Sequence, residues 1–208
     1  MQNYHSILLV IITVLLTSCG TSKSFRNEVD QYREAYKKDF LDTEASPLDA
    51  DDLVLLDFYN PDAKWKLTCN CILEDNAMPI DMPTYSGRTK KFKAYATAFC
   101  QYKNQKFSLK LYQNLALANQ QEYAEHLFLP FKDLTNSDET YGGGRYMDYT
   151  IKDIKKNQII IDFNRCYNPW CAYSNGYNCP VPPRDNHLNL SVKAGEKTFK
   201  GKFKEVRR

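Results

Sequence analysis

The sequence is poor in the features that announce a reaction. It has three histidines, and they fall in no HExxH motif and no Ser-His-Asp spacing; no nucleophile elbow is present either. Its one glycine run, Gly142-Gly143-Gly144, lacks the Lys-Ser/Thr ending of a P-loop and opens no clear helix, which argues against nucleotide binding. A net charge of +3 leaves no basic excess for nucleic acid. No internal repeat or low-complexity segment is visible. No cofactor motif stands out, and no Cys or His spacing follows a standard zinc pattern, so neither a cofactor nor a metal is expected.

What the chain does have is an address. From Ile7 to Leu16 the run is almost purely apolar, broken only by Thr13, and it ends in Leu16-Thr17-Ser18-Cys19. That run has the length of a signal-peptide core and is too short to span a bilayer as a stable helix. Small residues at 17 and 18 fit a signal peptidase, and the thiol of Cys19 is the group that a lipid transferase alkylates. The one departure is a start without Lys or Arg. The spacing predicts residues 1–18 as a signal peptide, 19–24 as a lipidated tether, 25–60 as a helical segment and 61–208 as a β-rich domain. A diacyl or triacyl anchor on Cys19 attaches a protein stably to a membrane. The expected location is the bacterial cell envelope, facing the periplasm.

Patterning supplies the fold class. Phe25, Val29, Tyr32, Tyr36 and Phe40 recur at helical spacing and predict a helix over 25–41. Ser46-Pro47 opens a second, shorter helix to about Leu56, with Ser46 as N-cap. In 65–73 the odd positions are apolar or sulfur, which is a half-buried strand. Strands follow at 91–102 and 106–112, joined by a turn at Asn104-Gln105, then at 78–82, 126–131, 145–151, 158–163 and 187–193. Residues 114–125 are the one later stretch that admits a helix. With 15 Tyr and 11 Phe, the composition suits strands and also a polar-aromatic binding surface. The fold class is mainly β (α+β): an antiparallel sheet curled into a barrel or half-barrel, with the N-terminal helices packed against it. The turn Lys155-Lys156-Asn157 predicts that strands 145–151 and 158–163 pair as a hairpin.

Removing Cys19 leaves six of the seven cysteines, an even number that suits disulfides in an exported chain. Cys69 and Cys71 share one strand face and would not easily bond each other. Cys171 and Cys179 can close a small loop. Together with Asp185 and His187 they make a conceivable metal set, and the disulfide is the favoured reading. The pairing of Cys69, Cys71, Cys100 and Cys166 is left open.

Three dense stretches follow: Phe131-Lys132-Asp133-Leu134-Thr135 with Thr140-Tyr141-Gly142-Gly143-Gly144-Arg145-Tyr146; Asp162-Phe163-Asn164-Arg165-Cys166-Tyr167-Asn168-Pro169-Trp170-Cys171; and Cys179-Pro180-Val181-Pro182-Pro183-Arg184-Asp185-Asn186. Together they resemble the DUF1684 family, from about Phe128 to Glu196 and more loosely from Ser46. Asp185 stands where that family usually has Glu, and Cys166 where it has a small residue. The resemblance implies a fold and an address, and no activity.

Within these stretches the candidate ligand-binding residues are Tyr141, Gly143, Gly144, Arg145, Asp162, Asn164, Tyr167, Asn168 and Asn186. Arg145, Asp162 and Asp185 are the candidate catalytic groups. Gly142 to Arg145 reads either as amides and a guanidinium around an anion or as a plain turn. Alternation puts Asp162 and Asn164 on one strand face, opposite Phe163 and Arg165, either to hold a ligand or to organise the bend at Pro169. The functional expectation is a lipid-anchored module that binds a small molecule or peptide. The alternative is a hydrolase using Arg145 with Asp162 or Asp185. Convergence of these three residues in one pocket would favour the enzyme. For the address, Cys19→Ser is expected to abolish incorporation of a fatty-acid analogue in growing cells while leaving the domain folded; labelling equal to wild type would end the lipoprotein reading.

Overall fold

A computed structural model describes residues 21–205. The lipobox and Cys19 therefore lie outside the described residues. Helix α1 spans Lys23–Asp42, two residues earlier than the pattern suggested, because Ser22 accepts the Phe25 N–H and caps it. Such a cap stabilises a helix by about 1 kcal/mol. The second helix is shorter than expected. It covers only Ala50–Leu53 (α2), and its cap is Asp49 instead of Ser46, with the Asp49 N–H donating in return to the Asp52 carboxylate. Ser46 bonds its own neighbourhood, accepting from Leu48 N–H.

The strands are β1 (Lys66–Leu73), β2 (Ile80–Pro83), β3 (Thr89–Tyr102), β4 (Gln105–Asn114), β5 (His126–Phe131), β6 (Arg145–Thr150) and β7 (Gln158–Asp162). They form one antiparallel sheet in the order β6-β5-β4-β3-β1-β7, with β2 added alongside β3. The sheet curls into a half-barrel and does not close. The expected hairpin of β6 with β7 is absent: these two strands stand at opposite ends of the sheet order and flank the open seam. Residues 151–153 form a 3-10 turn between them, so the chain leaves one edge and crosses to the other. The β3–β4 turn falls on Lys103 and Asn104, with Lys103 at φ 53°, and residues 115–125 make turns without a helix.

Alternation puts one side chain in two on the concave face. Cys69, Cys71, Ala96, Ala98, Leu109, Leu111, Leu127, Leu129, Ile159 and Ile161 meet there. Leu188, Leu190, Val192 and Ala194 fill the same core. Their period of two suggested a strand, and the segment is extended, yet it makes only scattered backbone bonds to the chain after β5, such as Leu188 N–H to Lys132 O and Leu134 N–H to Leu190 O. Alternation reports burial; it does not by itself supply a ladder. α1 packs on the outside through Tyr36 and Phe40, against Phe58, Trp170 and Tyr173. No described helix is long and apolar enough to cross a membrane.

Two disulfides staple the fold. Cys171 is bonded to Cys179, as the loop spacing suggested. The second joins Cys69 to Cys100. Asn70 of β1 faces Phe99 of β3, so Cys69 and Cys100 are the next opposed pair, with Cα atoms 4.5 Å apart. Cys71 and Cys166 are free and buried. Closing a loop of 31 residues contributes about 3–4 kcal/mol in the loop-entropy account. Replacing Cys69 and Cys100 by Ala should therefore lower the unfolding free energy by an amount of that order, and the denaturation midpoint with it. Peptide mapping without reduction should recover the linked pair, and an unchanged midpoint would remove the crosslink from the account.

Candidate functional site

Most of the conspicuous motif residues are sealed into one hydrogen-bond network. Arg145 opens β6 and is wholly buried. Its Nη1 donates to Ala194 O at 2.5 Å and to Glu196 O at 3.2 Å; its Nη2 donates to Asp133 Oδ2 at 2.7 Å and Val192 O at 2.9 Å. Asp133 is buried with it, and its other oxygen accepts from Thr135 N–H, Thr135 Oγ1 and Val192 N–H. The guanidinium thus has no face open to an anion. The preceding glycines form a packed turn. Gly144 has φ 93°, and a Cβ there would lie 2.5 Å from Phe131 O. Gly143 accepts the Tyr85 hydroxyl at 2.8 Å, and Tyr141 donates to Cys171 O at 3.2 Å.

Asn186 is a splice between strands. Its Nδ2 donates to Lys110 O and Pro130 O, and its Oδ1 accepts Lys110 N–H at 2.7 Å. Pro130 has no N–H, so the β4–β5 ladder fails there, and the amide side chain takes its place. Asp185 lies exposed and pairs with Lys110 at 2.6 Å. Asn168 sends its N–H to Glu196 Oε2 and its Nδ2 to Lys197 O. Tyr167 pairs its backbone with Tyr146 and gives its hydroxyl to Asp148. Cys171 and Cys179 are spent on each other, and His187 Nε2 contacts Pro182 O, so the conceivable metal set loses both thiols.

Among the described residues no cation pairs with the carboxylate of Glu196, the other acid of this network. It is fully buried and accepts the hydroxyls of Tyr173 at 2.6 Å and Tyr36 at 3.0 Å. Burial pushes its carboxyl up, and the bonds from Tyr173, Asn168 N–H and Tyr36 pull part of the way back, leaving it at about 7. Because Tyr36 belongs to α1, this carboxyl ties the helix to the core.

The open seam holds a different arrangement. Between β6 and β7 lies a cavity of about 600 Å³, roofed by Tyr32 of α1 and lined by Lys66, Asp148, Tyr149, Asp162 and Arg165 among others. Arg145 and Asp185 do not line it. Asp162, Arg145 and Asp185 thus have separate partners and do not converge, so the geometry that would have favoured a hydrolase is not formed. β7 ends at Asp162, and Phe163–Arg165 is a 3-10 turn. Residues three apart eclipse in that geometry. Arg165 therefore returns to Asp162 and does not point to the opposite face as strand alternation implied: Arg165 Nε is 3.6 Å from Asp162 Oδ2. Asn164 turns inward, holding Asp62 N–H and Asp62 O with its amide and bonding Asp162 Oδ1.

That leaves Asp162 Oδ2 without a hydrogen-bond partner, in a side chain only 6% exposed. Around it the charges are cross-linked. Glu28 of α1 accepts from Arg165 at 2.5 Å and Lys66 at 2.9 Å, and the Lys66 bond holds its carboxyl below the ordinary range. Tyr32 donates to Arg165 O, and its own hydroxyl is pushed far up by burial. Sequence reasoning named Asp162 and missed Tyr32, Lys66 and Arg165 as cavity residues. Tyr32 carried only a helix-face signal, although its hydroxyl meets a residue 133 positions away.

Comparison with known proteins adds a family and a fold. The family model described as "Protein of unknown function (DUF1684)" matches residues 52–197. No curated protein matches the sequence. Among solved structures, the chain is similar to the solution NMR structure of an uncharacterised protein from Haloarcula marismortui, at 27% identity and a TM-score of 0.66, covering 85% of this chain and 95% of that one.

Two predictions follow from the two buried networks. Arg145→Lys keeps the charge and loses the fork, so it should cost about 3–5 kcal/mol of unfolding free energy, the range for a broken buried pair. Asp185→Asn, at an exposed pair, should stay within about 0.5 kcal/mol. Chemical denaturation checks both, and equal effects would contradict this division. For Glu196 the folded carboxyl lies at about 7 against an ordinary 4.5. Folding thus favours the protonated form. This contribution is complete below about pH 4.5 and is lost as pH rises toward 7, a change of order 3 kcal/mol at 1.36 kcal/mol per unit. Melting curves from pH 5 to 8 should show the decline, and Glu196→Gln should flatten it.

Proposed function

The chain belongs to the DUF1684 family, and we propose that it is a binding protein for a small polar molecule held in the seam of its half-barrel. One observation carries the reading: the Oδ2 of Asp162, buried against a cavity of about 600 Å³, accepts no hydrogen bond among the described residues. A buried carboxylate oxygen without a hydrogen bond costs on the order of 1–3 kcal/mol, and a ligand donor would recover it. Arg165 beside it supplies a donor, so the complementary group is a hydroxyl or amine with an acceptor nearby. Tyr32 offers an aromatic edge above. The volume lies in the usual range for small-molecule sites.

In the same proposal the domain is held at a bacterial membrane, facing the periplasm, by lipid on Cys19. The support is the lipobox Leu16-Thr17-Ser18-Cys19 and the two disulfides, which suit an oxidising compartment.

A thermal-shift screen of amino acids, short peptides and sugars, followed by calorimetry, tests the site. Asp162→Asn and Tyr32→Ala should each weaken a hit at least tenfold. Undiminished binding by both variants would place the ligand elsewhere.

A further inference from the structure

The end of the domain where α1 begins carries basic side chains that no carboxylate engages. Thr21 Oγ1 accepts the Ala63 N–H at 3.3 Å, so the short 3-10 helix Ala63–Trp65 abuts the start of α1. Trp65 stacks on Tyr102 with ring centroids 4.0 Å apart, which brings the tip of the β3–β4 hairpin, with Lys103, to the same end. Asp62, Trp65, Lys103 and Lys193 line one shallow depression there. Lys193 is taken by Glu139 at 2.7 Å, and Asp62 is occupied in capping Lys64 N–H. Lys23, Arg26, Lys64 and Lys103 are exposed, and none has a carboxylate partner among the described residues. Four basic side chains without an ion-pair partner thus gather at one end, against the single charge of Asp62, in a chain whose net charge is only +3.

We propose that this end rests on an anionic phospholipid surface, with Lys23, Arg26, Lys64 and Lys103 meeting the headgroup phosphates. The inference rests on the reading of Cys19 as the lipid anchor. Cys19 precedes Thr21 by two residues, a reach of about 7 Å for extended chain. Anchoring at Cys19 therefore holds the surface around Thr21 within about one Debye length of the headgroups, where opposite charges still attract. Each basic residue so placed raises partitioning roughly fivefold. Lipid and charge then act as two signals, and the charges fix which end of the domain faces the membrane.

β3 supplies an internal control. It runs from Thr89 to Tyr102, so Lys91 and Arg88 lie up to about 40 and about 50 Å from Lys103 at 3.3–3.4 Å per residue. The mature chain carrying Cys19→Ser is sedimented with vesicles of phosphatidylcholine alone or with one third phosphatidylglycerol. Binding is expected only to the anionic vesicles and should fall steeply between 50 and 500 mM salt, roughly speaking, as the Debye length shrinks. Lys64→Glu with Lys103→Glu should lower it at least twentyfold, and Arg88→Glu with Lys91→Glu should leave it within twofold. If the reversals disturb folding, Lys64→Gln with Lys103→Gln should give the same ordering with a smaller loss. Equal binding to both vesicle types, or equal loss from the two double variants, would overturn the proposal. The anchor reading fails separately, by a missing acyl mass on Cys19 in wild-type protein from cells.

Discussion

The guanidinium of Arg145 lets a sheet that never closes keep a dry core. A half-barrel exposes its concave face unless something fills it, and here the filler is the extended segment around 188–196. That segment has too little ladder to satisfy its own carbonyls, and buried carbonyls need donors. Arg145 gives four hydrogen bonds from one fork, three of them to the carbonyls of Val192, Ala194 and Glu196. Asp133 neutralises the charge and in turn receives Val192 N–H and Thr135. Gly144 is needed just before it because the strand enters against Phe131 O with no room for a Cβ. The stretch from Phe131 to Tyr146 and the C-terminal filler are thus one construction.

A second buried acid, in the same filler segment, is handled differently. Asp133 has an arginine, whereas Glu196 has tyrosine hydroxyls and an amide. Burial with neutral partners favours the protonated form of Glu196, as its upward shift records. The partners also differ in what they join. Arg145 holds the filler to the sheet; Glu196 holds α1 to the filler through Tyr36. Since α1 carries Tyr32 over the seam, the placement of the cavity roof depends on the core bond below it.

Elements were legible in the sequence where burial alone determines pattern. Strand β5 spans the expected residues and α1 nearly so, because side-chain period is local. Pairing was less legible. A short polar turn between β6 and β7 suggested a hairpin, but their edges face across the seam, and nothing in a linker's length distinguishes crossing a gap from turning back. The site was half legible for a related reason. Dense polar motifs such as Asn164, Asn168 and Asn186 mark hydrogen-bond networks, and a saturated splice looks the same in sequence as a ligand clamp. Asp162 was visible; Arg165 was assigned to the wrong face because the strand ends at 162 and a 3-10 turn follows.

The seam also shows why the proposed binding would rest on side chains more than on backbone. An open sheet edge is a template for another strand unless it is interrupted. On β6, Tyr146 is already paired with Tyr167, and the Thr150 N–H is capped by Asp153. On β7, Gln158 exchanges bonds with Lys155, and Asp162 N–H donates to the Tyr149 hydroxyl at 3.3 Å. Backbone groups alternate in direction along an antiparallel strand, so only Asp148 and Ile160 are left in the middle of the two edges. One residue on each side is too short a ladder to hold an added strand. A cavity bordered this way offers no ladder to an added strand, so under the binding proposal selection falls to its carboxylates, ammonium and guanidinium groups.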